Sequence, residues 1–452
     1  MTFYHALEID DRLCRACSRC MKICPTEAIR INAGKAYIQE HRCIDCGKCY
    51  EVCDVNAIFI KQDDFELIHG YEHSVVLIPA VFMGQFPDDI RVSRVYAALK
   101  ELGFKHVYEV ESASMIYAKA KHTYAVENVG KEPFISSFCP AIIRLIQIKY
   151  PSLVDNVMPI KVPVDFSAMY ALESLQDAGV SRGDIGVFYV TPCAAKIAAV
   201  KSPVGEEKSV IDGVINMDSL YNLVYKKIKE QGKNPIYQPA SSPRLSSDAI
   251  LSTLTNGERR LSMAKRSYAI DGIDNVMDFL DKLENDEIEG VEFLELRACD
   301  QSCAGALLSC ENRFLCSERM YNRARKIAER ERNGEMPKDR EMEKYQDLLL
   351  NNSRLQPIQP RSMLTLDCNI TKALEKMVKI NDVKCRLPQV DCGLCGSPTC
   401  DVFATDVVCD GASLMNCVFY QRHCEEENLL APSESKEKMC SVWGENKIKK
   451  MK

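Results

Sequence analysis

Two cysteine runs near the N-terminus carry the clearest chemical signal: Cys14, Cys17, Cys20 and Cys24, then Cys43, Cys46, Cys49 and Cys53. Each is spaced C-x2-C-x2-C-x3-C. Thiolates three residues apart curl a short loop around a small cube of iron and sulfide, and the fourth ligand of each cube comes from the other run. The spacing assigns Cys14, Cys17, Cys20 and Cys53 to one [4Fe–4S] cubane, and Cys43, Cys46, Cys49 and Cys24 to a second. Zinc is the competing chemistry, because C-x2-C is also a zinc-knuckle spacing. Zinc sites, however, do not need a third close cysteine. A disulfide framework fits less well, since the first residues read as no signal peptide and cysteine-rich chains without one are usually cytosolic metal or redox proteins.

A further set lies at Cys392, Cys395 and Cys400, in Asp-Cys-Gly-Leu-Cys-Gly-Ser-Pro-Thr-Cys, with a distant fourth at Cys417. Gly393 and Gly396 let the loop wrap tightly. The pattern resembles a small [4Fe–4S] domain of anaerobic electron-transfer proteins. Zinc is the alternative metal, and Cys409 the alternative fourth ligand. Four more cysteines are scattered: Cys139 before Pro140, Cys193 after Pro192, and Cys299 and Cys303 as C-x3-C.

The middle of the chain reads as the scaffold for this last group. His73–Phe82 is a short apolar run of the kind found in buried parallel strands. Arg91–Leu102 has a helical period and stops at Gly103, and Val107–Val110 follows as a strand. Gly186–Thr191 and Val291–Leu296 are two more buried runs, ending just before Cys193 and Cys299. Strands alternating with helices predict an α/β domain with mostly parallel sheets. Ligands in such sheets sit at the strand C-terminal ends, where both cysteines fall. Ile29–Gln39, alternating around Asn32-Ala33-Gly34, predicts a hairpin within a small α+β ferredoxin-like domain.

Three segments resemble the H-cluster motifs of the [FeFe]-hydrogenase family. They are Ser136-Ser137-Phe138-Cys139-Pro140, Thr191-Pro192-Cys193-Ala194-Ala195-Lys196, and Glu295-Leu296-Arg297-Ala298-Cys299 running on to Cys303. The family patterns are T-S-C-C-P, M-P-C-x-x-K-x-x-E and E-x-M-A-C-x-x-x-C. The resemblance covers about residues 1 to 320. It implies that Cys139, Cys193, Cys299 and Cys303 hold a cubane. Cys303 also bridges to a two-iron subsite carrying CO, cyanide and an azadithiolate, and Lys196 hydrogen-bonds a cyanide, a task suited to a three-donor ammonium. The implied reaction is 2H⁺ + 2e⁻ ⇌ H₂. Departures fall at Phe138, where the family has a cysteine, at Thr191 for methionine, and at Ala199 for glutamate. The wording from Ser136 onward is most similar to the sensory branches. A phenyl ring moves no protons, so slow turnover is expected, with Glu295 or a water chain as substitute relay and a gain in Phe138→Cys. A non-catalytic iron–sulfur electron-transfer or assembly protein lacking the two-iron subsite is the alternative.

At 452 residues, 46% hydrophobic and 27% charged, the chain reads as three or four globular units. Its formal charge of −6 offers no basic footprint for nucleic acid. No apolar run suggests a membrane span, and a cytoplasmic location is expected. The expected organisation is a ferredoxin-like 2[4Fe–4S] domain over 1–70, the H-cluster domain over 71–320, a charged helical linker over 321–362 broken near Gly334-Glu335-Met336-Pro337, a C-terminal [4Fe–4S] domain over 363–431, and a mobile tail over 432–452. Four [4Fe–4S] clusters follow. The expected partners are a ferredoxin-type electron carrier, hydrogenase maturation proteins and a separate signalling protein, with H₂ and protons as substrates. Cys310, Cys316, Cys368, Cys385, Cys424 and Cys440 receive no role.

Overall fold

The computed structural model describes residues 3–230, 245–334, 340–363, 366–445 and 447. The chain divides into two compact units, one made of Met1–Lys61 with Arg361–Lys452, the other of Gln62–Pro360. Among the described residues no helix is long and apolar enough to cross a membrane.

The first unit joins sequence segments from both ends of the chain. Strand Leu7–Ile9 pairs antiparallel with Ile58–Ile60, and Ile29–Asn32 with Lys35–Ile38. Ala33 and Gly34 connect the second pair with φ of 50° and 75°, the two left-handed residues that match a hairpin turn to the strand twist. The C-terminal segment covers this hairpin. Ile31 N–H donates to the Gly396 carbonyl at 2.8 Å, and Ala33 and Gly34 N–H donate to Ser441 and Val442 at 2.9 Å each. Arg30, nearly fully buried, forks onto Asp406 at 2.5 and 3.2 Å. Gly396 has φ of +90°, and a side chain there would strike the Ile31 carbonyl.

These contacts correct the expected mobile tail. Pro432–Trp443 is a helix that carries buried Val442 against the hairpin turn. Its polar composition hid this, because the segment docks largely through backbone groups.

The second unit holds two parallel sheets. One orders His106–Glu109, His73–Ile78, Ile185–Thr191 and Gly213–Asn216. The other orders Ser267–Asp271, Phe293–Arg297 and Phe134–Ile135. The strand expected over His73–Phe82 stops at Ile78, since Pro79 has no N–H to continue the ladder, and Ala80–Gly84 turns into a short helix.

The charged linker is also corrected. Arg313–Arg332 is one helix with Cys316, Met320 and Ala324 buried. Its Arg323 forks onto buried Glu109 at 2.6 and 2.7 Å, and Tyr96 donates to the same carboxylate at 2.8 Å. Met342 and Leu349 enter a core with Phe166 and Tyr170. A charge-rich helix can therefore be integral when its cations meet buried carboxylates. The expected break at Gly334-Glu335-Met336-Pro337 falls, beyond Gly334, outside the described residues.

Candidate iron–sulfur and active site

The two N-terminal cysteine runs fold alike. Left-handed residues flank the middle cysteine of each: Ala16 (48°) and Ser18 (65°) around Cys17, Asp45 (53°) and Gly47 (81°) around Cys46. Such alternation turns backbone N–H groups inward and makes a concavity for anions. Asp45 N–H donates to Cys43 sulfur at 3.4 Å, and backbone N–H groups outside these turns serve the others: Ala28 to Cys24 at 3.2 Å, Ala57 to Cys53 at 3.2 Å and Ala36 to Cys14 at 3.4 Å. Asp45 is fixed in turn by His5 Nδ1 at 2.8 Å and by Ala6 N–H at 3.0 Å. Cys24, Cys43, Cys46 and Cys49 line one small cavity. Cys20 sits within the charge field of Cys17, Cys14 and Cys53, and burial pushes its thiol up to about 12.

Cys392, Cys395, Cys400 and Cys417 line another small cavity, where Asp391 accepts from Cys400 N–H at 2.7 Å. Cys409 does not line it; Lys376, Asp406 and Asp410 surround that thiol.

In the second unit the scattered cysteines come from loops at strand C-terminal ends. Cys139 caps the helix Pro140–Lys149, Cys193 caps Ala194–Lys201, and Cys299 follows strand Phe293–Arg297. The Ala298 N–H donates to Cys139, joining the first loop to the third. Leu308 N–H donates to the Pro192 carbonyl at 3.0 Å, joining the third to the second. Cys193 lies in the field of both Cys139 and Cys303. Gln301 and Ser302, at φ of 60° and 51°, turn the chain between Cys299 and Cys303. Ser302 is pinned by Asp271 at 2.9 and 3.1 Å.

Burial pushes the Cys193 thiol up to about 12 and raises that of Cys139. Such thiols ionise when a metal takes the place of their protons, so this donor set fits an iron–sulfur cluster. Lys196 Nζ lies 3.8 Å from Cys303 Sγ. Burial would lower its ammonium, yet the charges of Cys303, Tyr189, Cys193 and Glu111 override that and hold it above its ordinary value.

Beside Lys196 is a cavity of about 100 Å³ whose walls include Phe138, Glu111, Tyr189, Ile160 and Ala199. Glu111 is the acid that the sequence reading missed. It directly follows the buried run Val107–Val110, and its carboxylate accepts from Ala80 N–H at 2.6 Å. Burial, then the charge of Glu109, raises it to about 8. Glu295, named as a substitute relay, is elsewhere: it accepts from Arg259 N–H at 2.8 Å and is not part of the cavity wall. It lies instead in a buried network. Glu258 binds Lys121, accepts from Arg297 at 2.6 Å and from Ser136 at 2.7 and 2.9 Å. Both Lys196 and Arg297 lie over the Phe138 ring, at 4.7 and 3.6 Å from its centre.

The model of the iron-only hydrogenase large subunit, C-terminal domain, matches residues 72–249, spanning Cys139, Cys193 and Lys196. A 4Fe-4S dicluster domain matches residues 6–54, and an Fe-S cluster domain matches 387–419. This chain is similar to iron-only hydrogenases over its middle part, between two segments similar to iron–sulfur cluster domains. Its relatives include the NADP-reducing hydrogenase subunit HndD of Solidesulfovibrio fructosivorans, 24% identical over 200 residues, covering 42% of this chain and 31% of that one. The periplasmic [Fe] hydrogenase large subunit of Nitratidesulfovibrio vulgaris is 28% identical over 214 residues, covering 42% of this chain and 50% of that one. The chain thus spans half or less of the length of these curated relatives. A solved [FeFe]-hydrogenase of Chlamydomonas reinhardtii aligns at 14% identity with a TM-score of 0.49, covering 64% of this chain and 94% of the other.

Proposed function

We propose that this protein binds an H-cluster and interconverts H₂ with two protons and two electrons at low turnover, in a sensory or regulatory role. One observation carries the reading: a half-buried ammonium, Lys196, stands 3.8 Å from the sulfur of Cys303 where three cysteine-bearing loops meet. Cys139, Cys193, Cys299 and Cys303 would hold the cubane, and Cys303 would bridge to the two-iron subsite. The bound cluster supplies redox-active iron and a basic amine for H₂ chemistry. Lys196 offers three N–H donors to an anionic ligand in a dry setting. Phe138 and Ile160 keep water from the cavity. Glu111, with its raised affinity for protons, holds a proton on the cavity wall near neutral pH. Because the phenyl ring stands where the family pattern has a cysteine thiol, protons lack their short exit and turnover is low.

The same reading places two cubanes at the N-terminal runs and one at Cys392, Cys395, Cys400 and Cys417, with a ferredoxin-type protein as electron carrier. Maturation proteins would load the two-iron subsite, and a separate protein would receive the signal. Infrared spectroscopy after anaerobic maturation tests the proposal. Bands from CO and cyanide, with hydrogen oxidation well below that of productive hydrogenases, are the expected result. A protein carrying its cubanes but no such bands would favour the non-catalytic alternative, and fast turnover would remove the sensory role.

A further inference from the structure

Arg297 ends strand Phe293–Arg297, two residues before Cys299, and is only 2% exposed. In the family pattern its position is a methionine. A guanidinium carries five N–H donors in a rigid fork and stays charged in proteins. One arm of this fork is satisfied, because Nη2 donates to Glu258 at 2.6 Å and toward the Ser252 carbonyl at 3.4 Å. Among the described residues, the other two nitrogens, Nε and Nη1, have no hydrogen-bond partner. Nε faces Glu295 at 3.7 Å, beyond hydrogen-bond length. Leaving buried charged donors unmet costs free energy, which an acceptor at this place would recover.

The surroundings say where the acceptor belongs. The guanidinium carbon is 3.6 Å from the centre of the Phe138 ring, next in sequence to Cys139. After Glu258 and Glu295, Cys303 and Cys139 are the next groups to act on its charge. Glu258 does not neutralise Arg297 alone, because the same carboxylate also binds buried Lys121. Two of the places where this chain departs from the family pattern, Phe138 and Arg297, are therefore in contact, and they put a guanidinium with unmet donors, its charge shared with buried Glu258 and Glu295, beside the cysteine cage.

We propose that Arg297 is a positioning residue for the cysteine-held cubane, donating Nε and Nη1 to its sulfurs or anionic ligands and favouring its reduced form. The proposal rests on the reading that Cys139, Cys193, Cys299 and Cys303 hold a cubane. Reduction adds one electron, supplied by an external donor, and no bond is made or broken. The added negative charge is stabilised by a fixed cation in a low-dielectric site. The cluster would then accept electrons at a milder potential than without this arginine, which suits a sensor that must respond to a weak reducing signal.

The test uses the full chain reconstituted with iron and sulfide, without a two-iron subsite. It is titrated with dithionite through redox mediators and followed by electron paramagnetic resonance. The cubane in question is assigned by its loss in Cys193→Ser. Arg297→Met and Arg297→Gln should each make its one-electron reduction at least tenfold less favourable, a shift of about 59 mV to more negative potential. Arg297→Lys, which keeps the charge, should recover most of that shift. The other cubanes should titrate unchanged in every variant. If one neutral variant fails to load the cubane, the other gives the reading. An unchanged midpoint in a neutral variant overturns the proposal while leaving the functional reading intact. Absence of the Cys193-dependent cubane from the wild type overturns the functional reading and this proposal with it.

Discussion

The N-terminal cysteine loops and the cysteine cage of the second unit surround their sulfurs in different ways. Around Cys14–Cys53 the hydrogen bonds to sulfur come mostly from backbone N–H groups, three of them at or just after the left-handed residues Glu27, Asp45 and Asn56, with Thr26 beside Cys24 and the Lys447 charge near Cys14 and Cys17. Around Cys139, Cys193 and Cys303 the environment also draws on charged side chains: Lys196 and Arg297, which sit within three residues of Cys193 and Cys299, and Glu111, which follows another strand. A backbone-lined site is fixed by local geometry and tolerates changes of side chain. A side-chain-lined site is adjustable one residue at a time, and each adjustment carries a charge that must be balanced in a buried space.

The sharpest way to break this comparison is Cys303→Ser. A hard hydroxyl replaces a soft thiolate poorly, so the CO and cyanide bands should disappear while the N-terminal cubanes remain. Bands unchanged in position and intensity would show that the bridge lies elsewhere.

Next in size is Glu111→Gln, which removes the cavity acid and keeps its shape. Hydrogen oxidation should fall by about 10²–10⁴-fold, with no loss of infrared bands; unaltered rates would remove Glu111 from the proton route. The same variant has a pH signature. The folded protein holds a proton on Glu111 up to about pH 8, whereas the ordinary value is 4.5. Between these values the native state binds more protons than the unfolded state, so stability contributed by this group falls as pH rises and is flat outside the window. Denaturant unfolding of the variant should lack that component, and an identical pH slope in both proteins would count against it.

Glu258→Ala tests the cost of charge in the side-chain-lined site. It strands Lys121 and Arg297, and breaking a buried pair costs about 3–5 kcal/mol. The unfolding free energy of the second unit, read from its denaturant midpoint, should drop by that amount, while visible absorption of the N-terminal clusters is retained. An unaltered midpoint would show that the network is not needed for stability. Gly396→Ala gives the smallest effect and acts on the other unit. Its left-handed backbone and the nearby Ile31 carbonyl predict a loss of about 1–3 kcal/mol, read as earlier bleaching of the N-terminal clusters on heating. Equal bleaching temperatures would mean that the hairpin does not depend on this contact.

What the sequence made legible follows the same division. The Cys14–Cys53 loops and the Ala33-Gly34 hairpin are short-range patterns, visible because ligand spacing and turn chemistry act within a few residues. Strands before Cys193 and Cys299 were legible as apolar runs. Glu111, Glu258 and Arg297 were not, since a single polar residue shows no periodicity and takes its meaning from partners tens to more than a hundred positions away. Composition misled at both ends of this scale. Arg323 read as a solvated charge but meets buried Glu109, and the polar Pro432–Trp443 segment docks through its backbone. Phe138 read as a missing thiol; its ring also lies against Lys196 and Arg297. A Phe138→Cys change thus exposes two cations, buried Arg297 and half-buried Lys196, to each other, which offsets the gain expected from a restored proton carrier.

The bonds from Gly396, Ser441 and Val442 to the Ile29–Ile38 hairpin also set a timetable. During translation the hairpin leaves the ribosome more than 350 residues before its cover, a gap of roughly 20–70 s at ordinary elongation speeds. For that interval its outer strand edge is open to other nascent chains. Iron delivery to the first cubanes therefore competes with mispairing until the last helix is made, and slow synthesis of the second unit lengthens the exposure.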